Sequence, residues 1–133
     1  IPMKKQTIHT DNAPAAVGTY SQAVKITHQG VNTVYISGQI GFDPNTMTWQ
    51  KGFEAQARQV MDNIEAICQK AGGGLSDVVK FNVSLTDLDN FAALNELFVD
   101  RLTEPYPARA AVQVAALPKG AVVEIEAIMV FEE

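Results

Sequence analysis

The order of apolar and polar positions predicts two helices along the chain. Apolar residues recur at helical spacing from Phe53 to Ala71, and the run Gly72 to Gly74 follows them directly. Glycine accepts the left-handed conformation that ends many helices, so this helix is predicted to stop there. A second apolar stripe, from Phe91 to Leu102, predicts another helix, which Asp87 or Asp89 can cap.

Six further segments show the alternation or the β-branched composition that is typical of strands. They are Lys4 to His9, Ala23 to Thr27, Thr33 to Gln39, Val79 to Leu85, Arg109 to Ala116 and Val122 to Phe131. Gln29-Gly30 predicts a hairpin turn, and Leu117 to Gly120 joins the last two strands. In the fourth strand, Val79 and every second residue to Leu85 form the apolar face.

This order of elements predicts a single α+β domain over residues 1–133, with two helices on one face of a mixed sheet. Both faces of the last strand are largely apolar, and two helices can cover only one face of the sheet. We therefore expect an identical subunit to cover the other face, which makes the protein a homo-oligomer. Ile1-Pro2 precede Met3, and we expect them to be a cloning or processing remnant.

Composition and charge argue against several classes of function. The chain has 133 residues, of which 47% are hydrophobic, and a net charge of -5, which argues against a nucleic-acid-binding surface. Cys68 has no second cysteine for a disulfide, and it lies on the apolar stripe of the first helix. His9 and His28 lack partners at ligand spacing, so no metal is expected. The chain has no membrane-length apolar run and no signal-peptide pattern, so we expect a soluble, cytoplasmic protein.

Arg109 is the residue whose placement points most clearly to chemistry. It follows Pro107-Ala108 and opens a strand that otherwise looks buried. A pair with a nearby surface acid is the ordinary explanation of an arginine. In a buried strand, however, a guanidinium is costly unless it meets an anion, and its planar fork suits a carboxylate. The sequence therefore indicates a site for a small ligand that carries a carboxylate.

Glu124 and Glu126 lie on one face of the last strand, among apolar residues. A solvent-facing charged stripe is the alternative, but a half-buried carboxylate can hold or activate a water molecule. The residues alone leave open which glutamate would do so. Ser37 and Gly38 are weaker candidates at the end of a strand, where Gly38 would let a ligand approach the backbone. Tyr20 lies in a loop that could close a pocket.

Matching segments of a known pattern occur along nearly the whole chain. They are Ala13 to Ala23, Ser37 to Ile40, Gln56 to Gln59, Asn63-Ile64, Asp77 to Lys80, Asp87-Leu88, Asn90-Phe91, Asn95, Pro107 to Arg109, Val112 to Val114, Leu117 to Lys119 and Val123 to Ala127. In these segments the chain resembles the RidA (YjgF) family of small trimeric proteins. The resemblance implies a chorismate-mutase-like α+β fold, in which three subunits form a central barrel with three sites in the clefts between them.

The resemblance also implies an activity. This is the hydrolysis of reactive 2-imino acids and their enamine tautomers, such as 2-iminobutanoate and 2-iminopropanoate, to 2-keto acids and ammonia without a cofactor. In that picture Arg109 binds the substrate carboxylate and Glu124 positions the water, while Glu126 has no assigned role. The residues expected to line the pocket are Tyr20, Ser37, Gly38, Asn95 and Ala111.

Two positions depart from the family pattern. Ala111 stands where the family often has cysteine, although alanine keeps the main-chain carbonyl that can help to hold the water. Thr19 replaces the usual proline before Tyr20, which removes a restraint on that loop. These departures leave a non-catalytic module that binds keto acids as the main alternative. An endoribonuclease or translation inhibitor is a further alternative, against which the net charge argues.

Overall fold

The apolar patterns of the sequence form one sheet and two helices in the computed structural model, which describes residues 2–133. Ile1, half of the expected remnant, lies outside the described residues. The strands are β1 (Lys4–Ile8), β2 (Ala23–His28), β3 (Val31–Gln39), β4 (Val78–Leu85), β5 (Ala108–Gln113) and β6 (Val123–Glu132), and the helices are α1 (Phe53–Ala71) and α2 (Phe91–Arg101). The fold is therefore α+β, as predicted.

The sheet has six strands in the order β1-β2-β3-β6-β4-β5. β4 and β5 run parallel, with α2 as their connection, whereas the other neighbouring pairs are antiparallel. The sheet is thus mixed, and its last strand in the chain lies between β3 and β4. No helix within residues 2–133 has the length and apolar character needed to cross a bilayer.

Helix α1 occupies the predicted range. Its apolar stripe, including Val60, Ile64 and Ile67, is fully buried against the sheet. Gly72 ends the helix in the left-handed conformation, with a φ of 106°. The ammonium of Lys25 donates a hydrogen bond to the carbonyl of Ala71 at 2.7 Å, which places a positive charge at the negative end of the helix dipole.

Two predicted details of the later strands differ from the structure. The pairing of β4 with β6 shifts register between Val78 and Lys80, so Val78 enters the core and Val79 is 46% exposed. The prediction that Val79 lies on the apolar face was wrong, because a bulge reverses the alternation there. β5 ends at Gln113 rather than Ala116, since its partner β4 ends at Leu85.

Asp87, the first of the two candidates, caps the 3-10 turn that precedes α2, and α2 itself begins after Asn90 without a side-chain cap from residues 2–133. The Asp87 carboxylate accepts a hydrogen bond from the backbone N–H of Asp89 at 2.9 Å. This bond begins a short 3-10 turn over Leu88–Asn90, and α2 continues from Phe91. The cap therefore acts one turn before the regular helix.

The sheet has a covered face and an open face. The helices cover the side on which Ile125 and Met129 of β6 are fully buried. On the other side, which we call the open face, Tyr35 of β3 and Val112 of β5 are 50% and 52% exposed. Ile128 and Val130 of β6 lie between them and are partly exposed, so this is the largely apolar face for which the sequence predicts a partner.

Gln22 fixes the loop that precedes β2. Its buried amide donates to the carbonyls of Thr10, Ala13 and Pro14 at 3.0, 3.2 and 2.8 Å. Its carbonyl oxygen accepts from the N–H of Thr10 at 2.7 Å. One side chain therefore satisfies four backbone groups of the segment that leads to Tyr20.

Replacing that amide should destabilise the protein. We expect Gln22→Leu to lower the free energy of unfolding by about 2–4 kcal/mol, because it leaves buried backbone groups without partners. Urea denaturation at a fixed protein concentration measures the change, with the exposed Gln50→Leu as the matched control. A Gln22→Leu midpoint equal to that of the control would contradict the assigned role.

Candidate active site

Arg109 lies on the helix side of the sheet. It pairs in register with Phe81 of β4, whose side chain is buried under α2. Its Nη1 donates to Oδ1 of Asn95 at 2.8 Å, and the guanidinium carbon lies 5.2 and 5.3 Å from the ring centroids of Phe91 and Phe98. These contacts hold the cation by an amide and two aromatic faces.

No carboxylate within residues 2–133 forms an ion pair with Arg109. A guanidinium has five N–H donors, of which Asn95 takes one. The remaining donors can bind a carboxylate through two parallel hydrogen bonds. The structure therefore does not show the surface ion pair that is the ordinary explanation of an arginine.

Arg109 borders a cleft of about 410 Å³ on the side of α2, which we call the α2 cleft. Its lining residues are Asn95, Phe98, Val99, Leu102, Tyr106, Pro107 and Arg109. Two residues that the sequence singled out, Asn95 and Arg109, thus meet in one place. The sequence reasoning missed the contacts of Phe91 and Phe98 with the cation, although their spacing around Asn95 puts all three on one helix face.

Glu124 lies on the opposite side of the sheet. It pairs in register with Ser84 of β4, and its neighbour Ile125 is fully buried on the covered face. Its side chain therefore belongs to the open face, whereas Arg109 belongs to the helix side. Within one chain these two residues do not converge on a common cavity.

Gly38 lies directly against Glu124. β3 changes register between Ile36 and Gln39, and a Cβ atom at Gly38 would lie 2.9 Å from Cδ of Glu124. Glycine is needed here because the Glu124 carboxyl occupies the space of a side chain. The sequence predicted that Gly38 admits a ligand to the backbone, and in the structure the group that approaches is this carboxyl.

Ser37 has its own local partners. Its hydroxyl donates to the carbonyl of Ser21 at 2.6 Å, and its N–H donates to the carbonyl of Gln22 at 3.0 Å. These bonds attach the end of β3 to the loop that carries Tyr20. Ser37 thus lies beside the Gly38–Glu124 contact and holds the backbone there.

Burial separates the two glutamates of β6. Burial raises the pKa of the Glu124 carboxyl, and the nearby Glu126 carboxylate raises it further. Glu126 is exposed, and it accepts a hydrogen bond from Nδ2 of Asn82 at 3.1 Å. A carboxylate of raised pKa is a stronger base than an ordinary glutamate.

Tyr20 and Ala111 contribute to different parts of the molecule. The Tyr20 hydroxyl accepts from the N–H of Val17 at 3.4 Å, so the ring folds over its own loop and not into the α2 cleft. Ala111 lies two residues after Arg109 on β5, at the edge of the sheet. Val114 donates to the carbonyl of Leu85, and alternate residues of an edge strand face away from its neighbour, so the Ala111 carbonyl points to the free edge.

Cys68 is a buried core residue, as the sequence predicted. Burial raises the pKa of its thiol to about 12, so the thiolate needed for nucleophilic attack is scarce at neutral pH. Within residues 2–133, no group of three or more histidine, cysteine, aspartate or glutamate side chains is placed to hold a metal ion.

A larger cleft, of about 690 Å³, lies between residues 41–52 and α1. It contains none of the residues that the sequence predicted for the site. Arg58 in its wall already bonds to the carboxylates of Glu54 and Asp100, at 3.3 and 3.4 Å. Within the described residues, this guanidinium is therefore already paired with carboxylates, unlike that of Arg109.

Comparison with known proteins gives matches along nearly the whole chain. The family model described as endoribonuclease L-PSP matches residues 10–131. A Capra hircus protein named 2-iminobutanoate/2-iminopropanoate deaminase is 46% identical over 127 residues, which cover 95% of this chain and 90% of that protein. The crystal structure of RidA from an Antarctic Psychrobacter species is 70% identical, with a TM-score of 0.88 over 95% of this chain and 99% of that one. Escherichia coli TdcF with bound serine is 39% identical, with a TM-score of 0.84 over 96% and 99% of the two chains.

Proposed function

Because the chain belongs to the RidA family, we propose that it is a hydrolase that converts 2-imino acids and their enamine tautomers to 2-keto acids and ammonia. The proposed substrates include 2-iminopropanoate and 2-iminobutanoate. The observation that carries the proposal is Arg109, a cation held by Asn95 and two aromatic rings at the wall of a cleft. The deaminase name of the goat relative and the serine bound to TdcF, an amino acid with a carboxylate, support this choice.

In the proposed mechanism, Arg109 binds the substrate carboxylate with two parallel hydrogen bonds. Glu124 holds a water molecule and accepts its proton while the water oxygen bonds to C2 of the protonated imine. The electrons of the C=N double bond move to the nitrogen. Glu124 then returns the proton to that nitrogen. The C–N bond breaks with its electrons leaving on ammonia, while the hydroxyl oxygen forms the C=O bond and gives its proton to the Glu124 carboxylate, which passes it to the departing ammonia as ammonium. Positioning supplies most of the rate enhancement, because the imine carbon is already electrophilic.

Arg109 and Glu124 lie on opposite sides of the sheet in one chain, so a site that uses both residues requires more than one copy of the chain. We propose a homotrimer in which the open faces enclose a central barrel and each site combines Arg109 of one copy with Glu124 of the next. The largely apolar open face supports this arrangement. Analytical ultracentrifugation at micromolar concentration tests it, and a monomeric mass would contradict it.

The other predicted pocket residues divide between the two halves of the proposed site. Asn95 and the Ala111 carbonyl accompany Arg109, and Ser37, Gly38 and Tyr20 accompany Glu124. The carbonyl of Ala111 at the free edge of β5 is proposed to accept a hydrogen bond from the attacking water. This role needs no side chain beyond the β-carbon, so alanine can replace the cysteine of many relatives.

A coupled assay tests the proposed reaction. An L-amino-acid oxidase or a threonine dehydratase generates the imine, and the release of keto acid is followed with and without the protein. The proposal predicts faster release in proportion to the protein concentration. Equal rates, together with measurable binding of a keto acid, would instead support the non-catalytic binding module.

A ribonuclease function is not proposed, despite the description of the family model. The chain has 15 acidic and 10 basic residues, a balance that repels phosphate backbones. The proposed site also depends on a single arginine, and Glu124 adds a negative charge to it. These features fit a small anionic metabolite better than RNA.

Asn95 is expected to act by positioning Arg109. Asn95→Ala should raise KM about tenfold with a smaller effect on kcat, because it removes one hydrogen bond that orients the guanidinium. Asn95→Asp should raise KM further, since its carboxylate would compete with the substrate for Arg109. Steady-state kinetics measure both effects, with the exposed Asn45→Ala and Asn45→Asp as matched controls. Equal KM values for Asn95→Ala and Asn95→Asp would contradict the competition.

A further inference from the structure

The polar groups that line the α2 cleft belong to Arg109, to Asn95 and to the hydroxyl of Tyr106, and the rest of the lining is apolar. Phe98 and Leu102 form its buried floor, and Val99 is 63% exposed at its rim. A cation beside an otherwise apolar wall is matched by a ligand with a carboxylate at one end and a hydrocarbon group at the other.

The apolar wall follows the axis of α2. Asn95 and Val99 are four residues apart and lie on one face of α2, and Leu102 follows at the C-terminal end of the helix. At about 1.5 Å per residue, the wall extends roughly 10 Å from Asn95 to Leu102. Since Asn95 is bonded to Arg109, the wall begins at the carboxylate anchor and leads away from it.

The size of the cleft exceeds the needs of the smallest 2-imino acids. Its volume of about 410 Å³ lies within the range of pockets that bind whole small molecules. A methyl or ethyl side chain would contact only the part nearest to Arg109. A branched chain such as that of leucine would extend further along the wall, towards Val99.

We infer that the α2 cleft is a side-chain subsite and that the enzyme prefers 2-imino acids with larger apolar side chains, such as the imine derived from leucine. This inference rests on the proposed function, because it assigns the substrate carboxylate to Arg109. Val99 and Tyr106 are the specificity-determining residues, since they form the exposed rim that such a side chain would cover.

The expected preference follows from the apolar surface removed from water. Each additional methylene that packs on the wall raises kcat/KM by about fourfold at full burial, and by less at an open rim. The leucine-derived imine has three more carbons than the alanine-derived imine. We therefore expect its kcat/KM to be about tenfold higher.

The experiment compares imines that L-amino-acid oxidase generates from L-alanine and L-leucine, at matched rates of formation. The variant Val99→Gln places an amide at the rim, where the original side chain is already exposed and α2 can retain its packing. It should lower the leucine-to-alanine ratio of kcat/KM about threefold or more. Val79→Gln, at an exposed valine outside the cleft, is the matched control.

A second measurement separates this subsite from the chemistry. Calorimetry gives the dissociation constants of pyruvate and 4-methyl-2-oxopentanoate for the wild type and for both variants. Tighter binding of the larger keto acid, reduced by Val99→Gln alone, supports the subsite even if no imine is hydrolysed. Turnover of both imines with equal kcat/KM, or an equal effect of the two variants, would overturn the subsite and leave the proposed function intact.

Discussion

Replacing Arg109 by alanine is expected to abolish the hydrolysis of 2-imino acids. The guanidinium is the anchor proposed for the substrate carboxylate, and its loss removes a charge-assisted bidentate pair. Truncating such a pair costs about a hundredfold to a thousandfold in kcat/KM. The coupled keto-acid assay measures the loss, and size-exclusion chromatography checks that the assembly is unchanged.

Two further variants make the result specific. Arg109→Lys keeps the charge but not the planar fork, so its kcat/KM should fall between those of alanine and the wild type. Arg58→Ala removes an arginine whose ion pairs lie on the surface, so its activity should stay within about twofold of the wild type. An Arg109→Ala protein that retains wild-type turnover would exclude Arg109 as the anchor.

Glu124→Gln is expected to lower kcat about a hundredfold or more, because it removes the proposed general base. The dissociation constant of a keto acid should change little, since the carboxylate anchor is on the other half of the site. Gly38→Ala should act in the same direction, because its Cβ would displace the Glu124 carboxyl, whose Cδ lies 2.9 Å away. If Glu124→Gln keeps the wild-type kcat, another group positions the water.

The raised pKa of Glu124 makes a separate prediction about pH. The proposed base works as a carboxylate, so kcat/KM should fall as the pH decreases through its pKa. Burial raises this pKa above the usual glutamate value of 4.5, so the fall should occur at a higher pH than for an ordinary glutamate. Glu126→Gln removes the second cause of the shift and should move the fall towards lower pH. A pH profile that Glu126→Gln leaves unchanged would contradict this coupling.

Local sequence signals predicted the elements better than their arrangement. The limits of α1 follow from its apolar period and from the glycine that ends it, both of which act within a few residues. The hairpin between β2 and β3 is equally local, with Gln29 and Gly30 at positive φ. The insertion of β6 between β3 and β4 depends on pairing between distant segments, which periodicity does not encode.

In the candidate site, too, local sequence signals identified residues, whereas the contacts of those residues depend on distant segments. Proline, alanine and arginine at the start of β5 drew attention to Arg109, and two closely spaced glutamates drew attention to β6. The burial that distinguishes Glu124 from Glu126 depends on its contact with Gly38, across a bulge in β3. The aromatic contacts of Arg109 required the packing of α2 on β5. These features depend on tertiary structure and have no local signature.

The placement of Arg109 and Glu124 on opposite faces of one sheet is the finding with the largest consequence. In the sequence, these two residues are 15 positions apart, which suggests a single cluster. The register of β4 with both neighbours separates them, because Phe81 shares a face with Arg109 and Ser84 shares a face with Glu124. If both residues act on one substrate, they must come from different copies of the chain.

Complementation between two inactive variants tests this account most directly. Chains carrying Arg109→Ala and chains carrying Glu124→Gln, with different affinity tags, are co-expressed and the mixed assemblies are purified through both tags. In a ring of three copies that holds both variants, one of the three shared sites pairs an intact Arg109 with an intact Glu124, so about a third of the wild-type keto-acid release should return. Release no faster than that of the two pure variants would contradict a site built from Arg109 of one copy and Glu124 of the next.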